Sequence, residues 1–216
     1  MRRMFVLTMA LAAAAAAPAA AQLLAGMPAW NSPKGGTGLT LSADYGLPND
    51  DAGGGDAYGV RGSFGFSKFT IAAGYSGYEA DGATERLSSW GAGAAFQLLG
   101  GALNPINVNI VGGVGTTGNI PTTVGEVDLT TYYAGAGASV NLPVPGFAIE
   151  PYLSVTNRWN AVSGADTQSD LGWTLGANVG LGMFGLHVAY DSQDYGGTTG
   201  SIIAFGAHIG FGVPGM

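Results

Sequence analysis

The chain has 216 residues, a size that suits one domain. Its 39 glycines carry no three-residue period, which excludes a collagen, and a charged fraction of only 10% with as many aromatics excludes a disordered chain. The absence of cysteine excludes a disulfide framework and a thiolate metal site, and a formal net charge of −7 argues against nucleic acid as a partner.

The first stretch, MRRMFVLTMALAAAAAAPAAAQ, reads as a secretory signal peptide over residues 1–21. Arg2 and Arg3 form its positive start, Met4 to Ala17 its apolar centre, and Ala19-Ala20-Ala21 a small-residue cleavage site before Gln22. The apolar centre is shorter than the about 18 residues that a membrane helix needs, and no later stretch reaches that length. Loss of Arg2 and Arg3 moves the charge from −7 to −9. Residues 22–37, QLLAGMPAWNSPKGGT, carry Pro and Gly without period and read as an irregular periplasmic tail.

From Gly38 to the end the pattern changes to alternation. Ten segments show it, at about 38–46, 58–66, 69–78, 87–98, 106–116, 129–142, 147–158, 171–182, 185–192 and 201–213. In LGWTLGANVGLG (171–182) the apolar set is Leu171, Trp173, Leu175, Ala177, Val179 and Leu181, and the positions between are glycine or small polar residues. Each segment is close to the ~9–11 residues with which a tilted strand crosses a bilayer. The connections alternate in length. The long polar ones are 47–57, 79–86, 117–128, 159–170 and 193–200; the short ones are 67–68, 99–105, 143–146 and 183–184. This is the asymmetry of a closed, antiparallel, all-β transmembrane barrel over 38–216, with ten strands and both termini periplasmic. Eight strands is the alternative count, because 185–192 is short.

The aromatic residues give a second, separate reading. On the apolar faces, Tyr45, Tyr58, Tyr75, Trp90, Tyr132, Trp159, Trp173 and Tyr190 fall beside long loops; Phe66, Phe69, Phe96, Phe147 and Phe211 fall beside short turns. Tyr and Trp settle where one end is apolar and the other wet, so these sets predict two girdles around an apolar band. A soluble sandwich would need its second face polar enough to meet water. Here that face is Gly, Ser, Thr and Asn, which suits an interior.

The chain thus resembles the small outer-membrane β-barrel proteins of Gram-negative bacteria, over about residues 38–213. The last strand, AFGAHIGFGV, with Gly206, Ile209 and Phe211, resembles the C-terminal signal read by the barrel-assembly machinery. The resemblance implies an outer-membrane location, that machinery as a partner in biogenesis, and contact with membrane lipid and lipopolysaccharide. It implies no single activity, because barrels host pores, enzymes, adhesins and structural proteins.

The same parity turns Asp44, Arg61, Glu150, Arg158, His187, Asp191 and His208 toward the lumen. Asp44 and Arg61 are expected to face each other as an ion pair or a constriction. His187 and His208 are expected on neighbouring strands with Glu150 at similar height; water-bonded lumen residues are the simpler reading than a zinc site. No GxSxG or P-loop pattern is present, and neither histidine sits at the rim or on the lipid face where known barrel chemistry would need it. Pro151, on the lipid face of its segment, cannot donate a ladder hydrogen bond and suggests a bulge. The expectation is a non-enzymatic outer-membrane barrel without cofactor, structural or a narrow passive pore for small solutes or ions. The alternative is a binding or adhesion barrel working through its acidic loops. A glycine-rich inner face favours an open lumen; the tail, Arg61, Arg158, Glu150, Tyr78 and Tyr152 are the groups that could close it.

Overall fold

The computed structural model describes residues 23–30, 32–33, 37–101, 104–122, 125–162, 165–195 and 197–212; the expected signal peptide lies outside them. The chain forms β1 (Gly38–Pro48), β2 (Asp56–Phe66), β3 (Phe69–Glu79), β4 (Leu87–Leu99), β5 (Ile106–Thr122) and β6 (Gly125–Val140). It continues with β7 (Leu142–Val144), β8 (Phe147–Val162), β9 (Gln168–Leu181), β10 (Phe184–Tyr195) and β11 (Thr198–Phe211). All neighbours pair antiparallel. β1 pairs with β11 and β6 with β8, so the sheet closes on itself and leaves no free edge.

β6 and β7 are one strand of the barrel. Ser139 pairs with Tyr152 and Leu142 pairs with Ile149, which is a single unshifted register. The ladder lapses only opposite Glu150 and Pro151, where proline has no N–H to give. Pro151 therefore marks a gap in the ladder and not the bulge its position suggested. With β7 counted as the end of β6, the barrel has ten strands.

Alternation becomes inside and outside. Along β9, Leu171, Trp173 and Leu175 are exposed while Gly172, Thr174 and Gly176 between them are buried. The outer surface carries Leu39, Leu41, Val60, Phe69, Ile71, Trp90, Leu153, Leu186 and Phe205, all exposed. Such a surface suits hydrocarbon, and a closed ladder is the sheet form that satisfies every strand's backbone there. The girdle residues pair across strands: Tyr45 with Tyr58, Tyr75 with Trp90 and Tyr132 with Trp159 face one another in register. Their rings approach to 5.1 Å for Tyr45–Tyr58 and 4.7 Å for Tyr75–Trp90, and Trp173 and Tyr190 lie 5.4 Å apart. At the turn end Phe69 and Phe96 are 4.8 Å apart.

Three connections expected to be long loops are mostly strand. β5 and β6 run on to Thr122 and Gly125, β8 to Val162, β9 starts at Gln168, and β10 and β11 meet across Tyr195 and Thr198. Above the girdle the outer face meets water instead of hydrocarbon, so the ladder persists while the apolar alternation stops. A register shift between Thr117 and Ile120 also reverses the parity of β5 and turns Ile120 inward. The remaining loops at this end include 49–55, which contains a short 3₁₀ turn (Asp50–Ala52), and 80–86. Asn49 caps that turn by accepting the Ala52 N–H, and its side chain also accepts from the Ser201 N–H of β11.

Candidate functional site in the barrel lumen

Residues 23–30 and 32–33 do not trail beyond the barrel; they lie in the lumen as a plug. Leu23 lies against Gly91 and Gly115 in mid-barrel. The chain then climbs toward the long-loop end, where the Ala25 N–H donates to Ser89 Oγ (3.1 Å) and Ser76 Oγ donates to the Ala25 carbonyl (2.9 Å). It reverses at Gly26, whose φ of +71° is a left-handed turn that glycine adopts without strain. The Met27 N–H closes this turn on the Leu24 carbonyl at 3.0 Å. On the way down the Ala29 N–H donates to Asp191 (3.1 Å), Trp30 meets His187 edge-on (4.6 Å between rings), and Ser32 Oγ donates to Glu150 (2.8 Å). β1 then begins at the turn end.

The bare inner face explains why the segment fits. Gly74, Gly91 and Gly115 are register neighbours on β3, β4 and β5. A Cβ at Gly115 would overlap the Leu23 carbonyl, one at Gly74 would press on Leu24, and one at Gly46 would overlap the Gly26 carbonyl. Glycine on this wall leaves room for a second layer of chain. At the long-loop end Leu24, Ala25 and Met27 join Ala52, Ala57, Tyr78, Ile120 and Leu129 in a small buried core. The mouth on that side is thereby closed by packed apolar side chains.

Below this core the luminal charges fall into three groups. Arg158 makes a bidentate pair with Asp191 (2.7 and 2.8 Å), and Thr174 donates to Asp191 (2.6 Å) while Gln193 accepts from Arg158 (3.0 Å). Glu150 accepts from Ser139 (2.7 Å), Asn178 (2.9 Å) and the plug's Ser32. Asp44 meets His187 Nε2 at 2.5 Å, His187 Nδ1 faces His208 Nδ1 at 3.1 Å, and Arg61 Nε lies 3.6 Å from Asp44. The Arg61 guanidinium stands 5.2 Å over the Trp30 ring. All seven polar residues expected in the lumen sit there. Glu150 does share the height of His187, through the register Glu150–Asn178–His187, but it turns to Ser139 and Ser32 while Asp44 takes the imidazole. Among the described residues no group of three His, Asp or Glu could hold a metal ion.

No family model matches the chain, and no curated protein matches it. Its likeness is to solved structures. The β domain of the Bordetella autotransporter BrkA is 10% identical over 81% of this chain and 100% of its own, with a TM-score of 0.55. This is the fold of the outer-membrane β-barrels. Neisserial surface protein A (15% identical, 82% and 100% covered, TM-score 0.40) and the outer membrane protein Ail of Yersinia pestis (11%, 81% and 99%, 0.42) also match.

Within this outer-membrane barrel fold a cavity of about 330 Å³ remains between the plug and the turn end, lined by Thr40, Ser42, Arg61, Ser63, Glu150 and His208 among others. Sequence reasoning placed the luminal charges but not their partners in residues 23–33. One signal was present: Trp30 and Met27 are large apolar residues in a segment with no strand period, and apolar side chains of that size seek burial. At the rim, Arg86 bridges Glu79 (3.0 Å) and Asp56 (3.9 Å) and stacks 5.1 Å over Tyr58. The hydrogen bond it donates to Glu79 holds its guanidinium above the ordinary range.

Proposed function

We propose that this chain is a non-enzymatic integral protein of the outer membrane that is closed at rest, a structural barrel rather than a constitutive pore. The observation that carries this reading is the plug: residues 23–30 and 32–33 occupy the lumen, and their apolar turn packs into the core that fills the long-loop mouth. The apolar outer face and its aromatic girdles support insertion in a bilayer. β1 starts and β11 ends at the short-turn side, which supports a periplasmic position for both ends. Bulk lipid and lipopolysaccharide are then its surroundings, and the assembly machinery that reads the last strand its partner in biogenesis. A non-enzymatic role is supported by the luminal polar groups being engaged with one another or with the plug.

The test is single-channel conductance of the refolded chain in a planar bilayer at neutral pH, beside a chain lacking residues 23–33. The intact chain is expected to stay silent and the shortened one to conduct in steady steps. Steady steps from the intact chain would sink the closed reading. Silence from both would take the closing role away from the plug.

A further inference from the structure

The imidazole pair at the centre of the lumen has a geometry that only some protonation states permit. His187 Nε2 points at the Asp44 carboxylate, so it carries a hydrogen and donates. His187 Nδ1 and His208 Nδ1 face each other at 3.1 Å, with the rings stacked 19° from parallel. One of these two nitrogens must donate and the other must accept. The pair as built therefore holds at most one imidazolium. A second proton puts a hydrogen on both facing nitrogens, and the contact cannot survive.

The surroundings decide what gives way. The charged groups that face the pair are Asp44 from β1 and Arg61 from β2. Glu150 from β8 lines the same cavity but is occupied by Ser139, Asn178 and Ser32, and Asp191 further along β10 is occupied by Arg158. One carboxylate, already shared with Arg61, is left to offset two imidazolium charges and a guanidinium. The rings cannot retreat into the wall. His208 lies over Gly185 and His187 over Gly206, each so close that even a Cβ there would overlap the ring. On the lumen side the neighbour of His187 is Trp30, a residue of the plug, and Trp30 is also the ring on which Arg61 rests.

We propose that His187 and His208 form a proton-operated latch, which holds Trp30 and the plug in place at neutral pH and releases them when both rings are charged. The inference rests on the closed-barrel reading above and adds the condition under which it opens. Histidine changes charge between about pH 5 and 8, so release belongs to the acid side of neutrality. A rise in the open population is then a shift between two arrangements of the same barrel.

The experiment is conductance of the intact chain from neutral pH down to about pH 4.5, beside His187→Gln/His208→Asn and the chain lacking residues 23–33. The intact chain is expected to gain open probability about tenfold or more below about pH 6, and the double variant, whatever its open probability at neutral pH, to show no rise with acid. If the intact chain stays shut at every pH while the shortened chain conducts, the latch is overturned and the closed barrel stands. If the double variant opens along the same pH profile, the latch is overturned as well. Conductance of the intact chain at neutral pH would instead strike the closed reading itself. Should the double variant not fold, a nitroxide at Ser32→Cys, the sole cysteine of an otherwise unchanged chain, reads the plug directly. Acid must narrow its line; an unchanged line overturns the latch.

Discussion

Arg158 is the bulkiest fully buried side chain among the described residues, which is the reverse of where arginine usually lies. It is tolerable because its charge is matched. Asp191 takes both forks of the guanidinium, Thr156 and Gln193 take others, and Thr174 and the Ala29 N–H complete the carboxylate. Gly172 makes the space, since a Cβ there would stand 2.7 Å from the Arg158 Cζ. Removing one member strands the other in a dry environment, so Arg158→Ala is expected to destabilise the barrel by about 3–5 kcal/mol. Urea unfolding in lipid vesicles measures this. A loss below about 1 kcal/mol would mean that water reaches the pair and that the lumen is wetter than its packing implies.

At the scale of elements, the plug and the glycine wall of β3 to β5 are two halves of one interface. Gly115→Val is expected to push Leu23 from its seat and raise conductance at neutral pH, while leaving the folded barrel's gel migration intact. Gly180, also in the lumen, has nothing near the place where its Cβ would stand, so Gly180→Val is the control and should do neither. Equal conductance from the two variants would deny the wall its role. Met27 is almost wholly buried, 1% exposed, beneath the long-loop mouth. Met27→Ala should weaken seating of the plug by about 2–5 kcal/mol, which the same conductance assay reads as a higher open probability.

The whole molecule is held by two different kinds of order. The ladder is closed and independent of the plug, because each strand has hydrogen-bonded neighbours on both sides. The shortened chain should therefore still fold and show heat-modifiable migration; failure to fold would make residues 23–33 part of the barrel's own core. The second order is the division of the lumen into a packed, apolar upper part and a lower cavity with small polar walls. That division makes the molecule one-sided, with its closure beside the long loops and its open space beside the short turns.

The sequence by itself determined which residues face lipid, where the girdles lie and which charges enter the lumen. All three follow from a period of two, and that period is written locally in each strand. Strand ends were legible only to the girdle. Beyond it no apolar solvent enforces alternation, and the shift after Thr117 reverses the parity of Ile120. The ten-strand count was legible too: 129–142 reads as one segment, and the break between β6 and β7 is only the ladder gap opposite Pro151. Only the tertiary structure decided what fills the lumen. Ala29 meets Asp191, Ser32 meets Glu150 and Trp30 meets His187 across most of the chain's length. An irregular segment has no period of its own from which such partners could be read. Its place is set by the shape of a cavity that exists only after β1 has closed on β11.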